Sequence, residues 1–117
     1  MTDLAGKRIL IVKLRYIGDT LSVLPVVDNL KAKVPGAIVD LMVNRGTEEI
    51  VAYHPGIRRV LAYDRVLAKQ GLPGMIAYHI RFIRELRSGN YDIVIDFTHG
   101  DRAAFLCFAS GASRRIT

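Results

Sequence analysis

Short apolar runs rich in β-branched residues alternate along this chain with segments of helical period, and that alternation constrains the fold more than any other feature. Lys7 to Leu14 (KRILIVKL) has apolar residues at successive positions, as in a strand covered on both faces. Ala37 to Val43 (AIVDLMV), Arg59 to Tyr63 (RVLAY) and Tyr91 to Asp96 (YDIVID) repeat the pattern, and Arg114 to Thr117 reads as the start of a fifth strand.

Between the strands, Asp19 or Thr20 can cap a helix reaching about Val34, with Leu21, Leu24, Val27 or Asp28, and Leu30 or Lys31 in a mainly helical period. Pro35-Gly36 stops it, and Pro25 is expected to distort its first turn. Thr47 begins a short helix through about Tyr53, ended before Pro55-Gly56. A looser segment from Asp64 to Leu72 leads to a helix from about Pro73 to Arg87. There Ile76, Ile80, Ile83, and Leu86 or Arg87 are expected on the buried side, with Arg81, Arg84 and Arg87 on a solvent-facing stripe. Ser88-Gly89-Asn90 punctuates, and Arg102 to Ser110 forms the last helix. Alternating strands and helices imply right-handed βαβ units, hence an α/β, Rossmann-like doubly wound parallel sheet of order 3-2-1-4-5. With 117 residues the chain holds one domain, 1–117, and its end at a beginning strand suggests part of a longer protein.

Composition narrows the functional classes. A hydrophobic content of 50% with 24% charged residues is that of an ordinary globular domain. The apolar runs fall far short of the roughly 20 residues needed to cross a bilayer, and the chain does not open with a basic-then-apolar leader, so a cytoplasmic location is expected. The single cysteine, Cys107, lies in AAFLCFA and reads as a buried thiol. The net charge of +6 predicts attraction to anions: nucleic acid, an anionic membrane surface, or a phosphorylated or carboxylated substrate. The cations are dispersed from Lys31 to Arg115 without a recognisable nucleic-acid module, so no nucleic-acid partner is expected.

In an open parallel sheet, ligands bind beyond the carboxyl ends of the strands where the strand order reverses, here between strands one and four. Two loops are therefore expected to face each other: Arg15-Tyr16-Ile17-Gly18-Asp19, and Phe97-Thr98-His99-Gly100-Asp101-Arg102. The first has one glycine instead of G-x-G-x-x-G, and it contains no Walker A lysine, which argues against a dinucleotide or P-loop site. Gly18 permits a tight turn and close approach of another molecule. From position alone Asp19 is first an N-cap, although a capping carboxylate can keep one oxygen aimed into the crevice. Lys13 is either a strand-end lysine reaching solvent or an anion contact, and Arg15 suits bidentate contacts. Thr98, His99 and Arg102 form the opposite lip, where Asp101 reads as a helix cap. His99 has no companion at metal-ligand spacing, so no metal is expected. Arg65 and Lys69 lie in the irregular segment after strand three, where a basic loop can clamp an anion or remain solvated.

The stretch RILIVKLRYIGDTLSVLPVVDNLKAKVP resembles the opening of glycosyltransferase family 9, the heptosyltransferases of lipopolysaccharide core synthesis. HPGIRRVLAYDR and YDIVIDFTHGDRAAFLCFASGASRRI extend the resemblance over almost the whole chain. DFTHGDR and the Asp64-Arg65 loop are most similar to the branch adding the third, side-branch heptose. The resemblance implies the N-terminal, acceptor-binding half of a GT-B enzyme, with a C-terminal domain, outside this chain, holding an ADP-heptose donor. It implies an inverting, metal-independent transfer in which Asp19 deprotonates the acceptor hydroxyl. Lys13, Arg15, Gly18, Arg65, Lys69, Thr98, His99 and Arg102 are the corresponding acceptor-side candidates, with no cofactor beyond the donor substrate. The implied partners are the nucleotide sugar, an anionic lipopolysaccharide inner-core acceptor carrying phosphate or Kdo carboxylate, and the inner face of the cytoplasmic membrane as a peripheral contact. The alternative is a non-catalytic module of the same fold that binds anionic glycolipid or a partner protein.

Overall fold

A computed structural model describes residues 6–14, 23–64, 67, 71–98 and 101–116, without the side chains of Ile50, Asp101 and Arg102. Its centre is a parallel sheet of five strands: β1 (Arg8–Lys13), β2 (Ile38–Asn44), β3 (Val60–Tyr63), β4 (Ile93–Asp96) and β5 (Arg114–Ile116). The order is β3-β2-β1-β4-β5, as the alternation predicts, and strand order reverses between β1 and β4. The helices are α1 (Leu24–Lys33), α2 (Glu48–Val51), α3 (Leu72–Arg87) and α4 (Asp101–Ala109).

Successive residues of β1 point to opposite faces, so its run of apolar residues feeds two cores. Ile9 and Ile11 pack with Val27 of α1 and Val51 of α2 on one side. Leu10 and Val12 pack with Phe82 and Leu86 of α3 and Leu106 of α4 on the other. This double burial is why the run does not alternate with polar residues.

Pro25 does not distort the start of α1. It occupies the first turn, where a missing N–H forfeits no intrahelical bond, and Val26 N and Val27 N both donate to Val23 O at 2.9 and 3.1 Å. The described helix begins at Leu24, with Val23 as its N-cap; Asp19 and Thr20, the expected caps, lie outside the described residues. At its other end Lys31 Nζ donates to Pro35 O at 3.1 Å and Ala37 O at 2.6 Å. A cation there complements the helix C-terminus.

The orientation of α3 corrects the sequence reading. Ile76 and Ile80 are 49% and 52% exposed, whereas Tyr78, Phe82 and Leu86, also spaced by four, are buried. The aromatic row wins because each ring removes more apolar area from water than isoleucine does and meets a preorganised partner. Tyr63 stacks edge-to-face on Phe82 at 5.2 Å and on Tyr78 at 5.8 Å, and the Tyr78 hydroxyl accepts from Asp64 N at 2.6 Å. Arg81, Arg84 and Arg87 face solvent as expected.

Candidate functional site: the crevice between the first and fourth strands

The chain leaves β1 and β4 side by side, with Val12 opposite Asp96 in the ladder. The two exits are then stitched together by bonds between residues 84 or 85 apart in sequence. Phe97 N donates to Val12 O at 2.9 Å, Leu14 N to Thr98 Oγ1 at 2.8 Å, and Lys13 Nζ to Phe97 O at 3.1 Å. Asp96, itself buried, accepts from Thr98 N at 2.7 Å and so sets the turn that aims Thr98 at the β1 exit. The structure therefore brings together Lys13 and Thr98, as the strand order requires. Both act as braces between the lips of the crevice. Lys13 does not simply run out to solvent; its ammonium binds the carbonyl at the opposite lip.

Asp96 was missed by the sequence reading as a site residue. Its signal was a carboxylate closing an apolar strand at the carboxyl edge, where a charge has to find partners once buried.

A second set of contacts anchors the loop after β3. Arg45 Nη1 pairs with Asp64 Oδ2 at 3.0 Å, and Asp64 Oδ1 accepts from Leu67 N at 3.1 Å. Behind it, His79 Nδ1 lies 2.9 Å from Met75 O, which can only accept, so this nitrogen carries the proton. His79 Nε2 is hydrogen-bonded to the Tyr63 hydroxyl at 2.8 Å. Tyr78 and His79 do not stand out in the sequence, where the isoleucine row offers itself as the core face of α3. Together these bonds fix the start of the segment that holds Arg65 and Lys69.

Arg15, Gly18, Asp19, Arg65, Lys69 and His99 lie outside the described residues, and Arg102 is described only as a backbone position in the first turn of α4. Among the described residues there is no group of three or more His, Cys, Asp or Glu able to hold a metal ion, and no helix long and apolar enough to cross a membrane.

The opposite, amino-terminal edge of the sheet carries a polar cluster of different character. Asp40 in β2 is fully buried and accepts from Arg58 Nε and Nη2 at 3.0 and 2.7 Å, Arg59 Nε at 3.1 Å and Tyr91 Oη at 2.6 Å. Burial alone would raise the Asp40 pKa, but the hydrogen bonds from Arg58 and Tyr91 and the charges of Arg58 and Arg59 outweigh it, so the carboxyl is held below its ordinary value. Burial and the bond to Asp40 push the Tyr91 phenol up to about 12, which keeps it a donor. This cluster clasps the segments entering β2, β3 and β4 and stands at the far end of the strands from the crevice. His54 belongs to the same side of the molecule: its Nδ1 accepts from Gly56 N at 3.0 Å, and its Nε2 therefore donates to Asp28 of α1 at 2.8 Å. The turn before β3 is thus structural, as its sequence position implies. Cys107 is buried, with its thiol pushed up to about 12 by burial, in keeping with an inert core residue.

No protein-family model matches the chain. Among curated proteins it is 31% identical over 104 residues to lipopolysaccharide heptosyltransferase 3 of Escherichia coli strain K12, covering 89% of this chain and 30% of that protein. It is 32% identical over 91 residues to lipopolysaccharide heptosyltransferase 1 of Pseudomonas aeruginosa, covering 76% of this chain and 26% of that one. The chain thus spans less than a third of the length of these relatives. Among solved structures, Escherichia coli heptosyltransferase WaaC with ADP-2-deoxy-2-fluoro heptose matches with a TM-score of 0.81 at 30% identity, over 92% of this chain and 35% of that one. A glycosyltransferase family 9 structure from Veillonella parvula DSM 2008 matches in fold, with a TM-score of 0.81 at 23% identity, over 96% of this chain and 32% of that one. Agreement in strand order, in three-dimensional course and in sequence over most of its residues makes this chain a glycosyltransferase family 9, heptosyltransferase-like domain.

Proposed function

We propose that the chain is the acceptor-binding, N-terminal domain of an inverting heptosyltransferase that builds the lipopolysaccharide core. The observation that carries this reading is the similarity to lipopolysaccharide heptosyltransferases across 89% of the chain. ADP-heptose as donor is supported by the WaaC structure, whose bound ligand is ADP-2-deoxy-2-fluoro heptose. A C-terminal domain outside this chain holds that nucleotide sugar, and the crevice between β1 and β4 receives the inner-core acceptor.

In this scheme the Asp19 carboxylate takes the proton of the acceptor hydroxyl while its oxygen attacks the anomeric carbon from the side opposite the nucleotide. The glycosidic bond to ADP breaks as the new one forms, and the configuration inverts. Lys13, Arg15, Arg65, Lys69 and Arg102 supply positive charge for the acceptor's phosphate or carboxylate groups, with Gly18, Thr98 and His99 shaping the two lips. The protein works on the cytoplasmic side, at the membrane surface that carries the acceptor. The 117-residue domain by itself is inactive in this reading, because transfer requires donor and acceptor to be held together.

The test uses protein expressed from the complete reading frame, with ADP-heptose and a de-acylated inner-core acceptor, following ADP release. Asp19→Asn should lower kcat by about 100- to 10,000-fold while leaving acceptor KM nearly unchanged. Unchanged turnover in that variant would remove the catalytic assignment and favour a binding module.

A further inference from the structure

The ladder between β1 and β4 ends at the pair formed by Val12 and Asp96, and beyond it side chains take over the joining of the two strands. Val12 O accepts from Phe97 N at 2.9 Å, the Lys13 ammonium donates to Phe97 O at 3.1 Å, and Leu14 N donates to Thr98 Oγ1 at 2.8 Å. Three consecutive residues of the first lip are thus held by two consecutive residues of the second. Leu14 is the last of them, and the residues that follow it in sequence are Arg15 to Asp19.

The hold on Leu14 depends on a residue one step further back. Asp96 is 3% exposed, and its Oδ1 accepts from Thr98 N at 2.7 Å, the length of a hydrogen bond to a charged acceptor. That bond fixes the backbone of Thr98. The β-branched side chain of threonine has few χ1 choices, so a fixed backbone also fixes the direction of Oγ1, which meets Leu14 N. The result is a two-step relay from a buried carboxylate in β4, through one threonine, to the peptide group that leads out of β1. Lys13, bound to Phe97 O, ties down the residue before it.

We infer that Asp96 is a positioning residue for the transfer reaction: through Thr98 it fixes the place and direction from which the chain leaves Leu14 towards Asp19. The inference rests on the reading of Asp19 as the base, and it gives Thr98 to the protein's own geometry and not to acceptor binding. A base has to stand within hydrogen-bond reach of the proton it removes, and a misplacement of about 1 Å can cost about 100-fold in rate. Loss of the relay therefore acts on kcat, while groups that bind donor and acceptor elsewhere keep both KM values.

The experiment measures kcat and both KM values of the complete protein, by ADP release with ADP-heptose and a de-acylated inner-core acceptor, for variants checked by near-ultraviolet circular dichroism. Asp96→Ala and Thr98→Val should lower kcat by about 10- to 100-fold, with both KM values within about twofold of wild type. Asp96→Asn and Thr98→Ser, which keep the two acceptor oxygens, should stay within about threefold of wild type in kcat. In an Asp19→Asn background, Thr98→Val should cost less than about threefold more, because both substitutions act on the same proton transfer. Thr98→Val is the arm that decides if Asp96→Ala fails to fold. Wild-type kcat in Thr98→Val, a raised acceptor KM with kcat preserved, or full additivity with Asp19→Asn would each overturn the relay while leaving Asp19 as the base. Wild-type turnover in Asp19→Asn alone would instead remove the base reading, and this inference with it.

Discussion

Replacing Asp40 by asparagine keeps the volume of the side chain and removes its charge from the centre of the clasp. The carboxylate is fully buried, and two guanidinium groups and a phenol converge on it. Removing one partner of a buried ion pair costs about 3–5 kcal/mol, because the other charge is left uncompensated. Here the Arg58 and Arg59 side chains are 38% and 32% exposed, so water compensates part of the loss. The lower end, about 3 kcal/mol, is therefore expected. For a domain of this size that lowers Tm by roughly 10–15 °C. Urea unfolding of wild type and Asp40→Asn between neutral pH and pH 2 gives the decisive curve. The folded-state pKa of Asp40 lies below its ordinary value of 3.8, so its ionic contribution is fully present above that value. It disappears as pH falls through the folded-state pKa, and the gap between the two proteins should close there. A gap below about 0.5 kcal/mol at neutral pH, or one that persists unchanged at the acid end, would refute this account of the clasp. Gly89 offers an internal check. A Cβ there would stand 2.5 Å from Tyr91 Cζ and 2.7 Å from Arg59 Nη2, so Gly89→Ala has to push Tyr91 off Asp40. Its cost should shrink in the Asp40→Asn background, because both substitutions break the same network.

Thr98→Val should leave the partly buried Leu14 N–H without its acceptor, at a cost of about 1–2 kcal/mol. Hydrogen exchange at Leu14 should accelerate by roughly tenfold or more, and unchanged protection would show that Thr98 does not hold the β1 exit. Cys107, with its thiol pushed up to about 12 by burial, stays protonated at pH 8 and should not react with a thiol-specific disulfide reagent until urea unfolds the protein. Rapid labelling of the native protein would contradict its buried, inert character.

The crevice was legible in the sequence to the extent that strand order fixes which loops meet. Lys13 and Thr98 lie where that argument puts them, on facing lips. The bonds that use them were not legible, because each joins residues 84 apart in sequence. The same is true of Asp96, which looks from its neighbours like the end of a strand and gains its role only when Thr98 folds back on it. Asp19 comes from the family resemblance, since its turn alone would be read first as a cap.

Local sequence determined the elements, the parallel sheet and its order, because apolar period and turn residues act between near neighbours and the handedness of βαβ units then leaves few arrangements. It did not determine which of two apolar rows on α3 would face the sheet. Both rows have helical spacing, and the choice fell to Tyr78 and Phe82 because Tyr63, from a different strand, offered their rings a partner. That rotation also left Ile76 and Ile80 on the outside, beside Phe105 of α4. Tertiary structure alone decided this, because the energy of burying a face depends on what the rest of the chain brings against it.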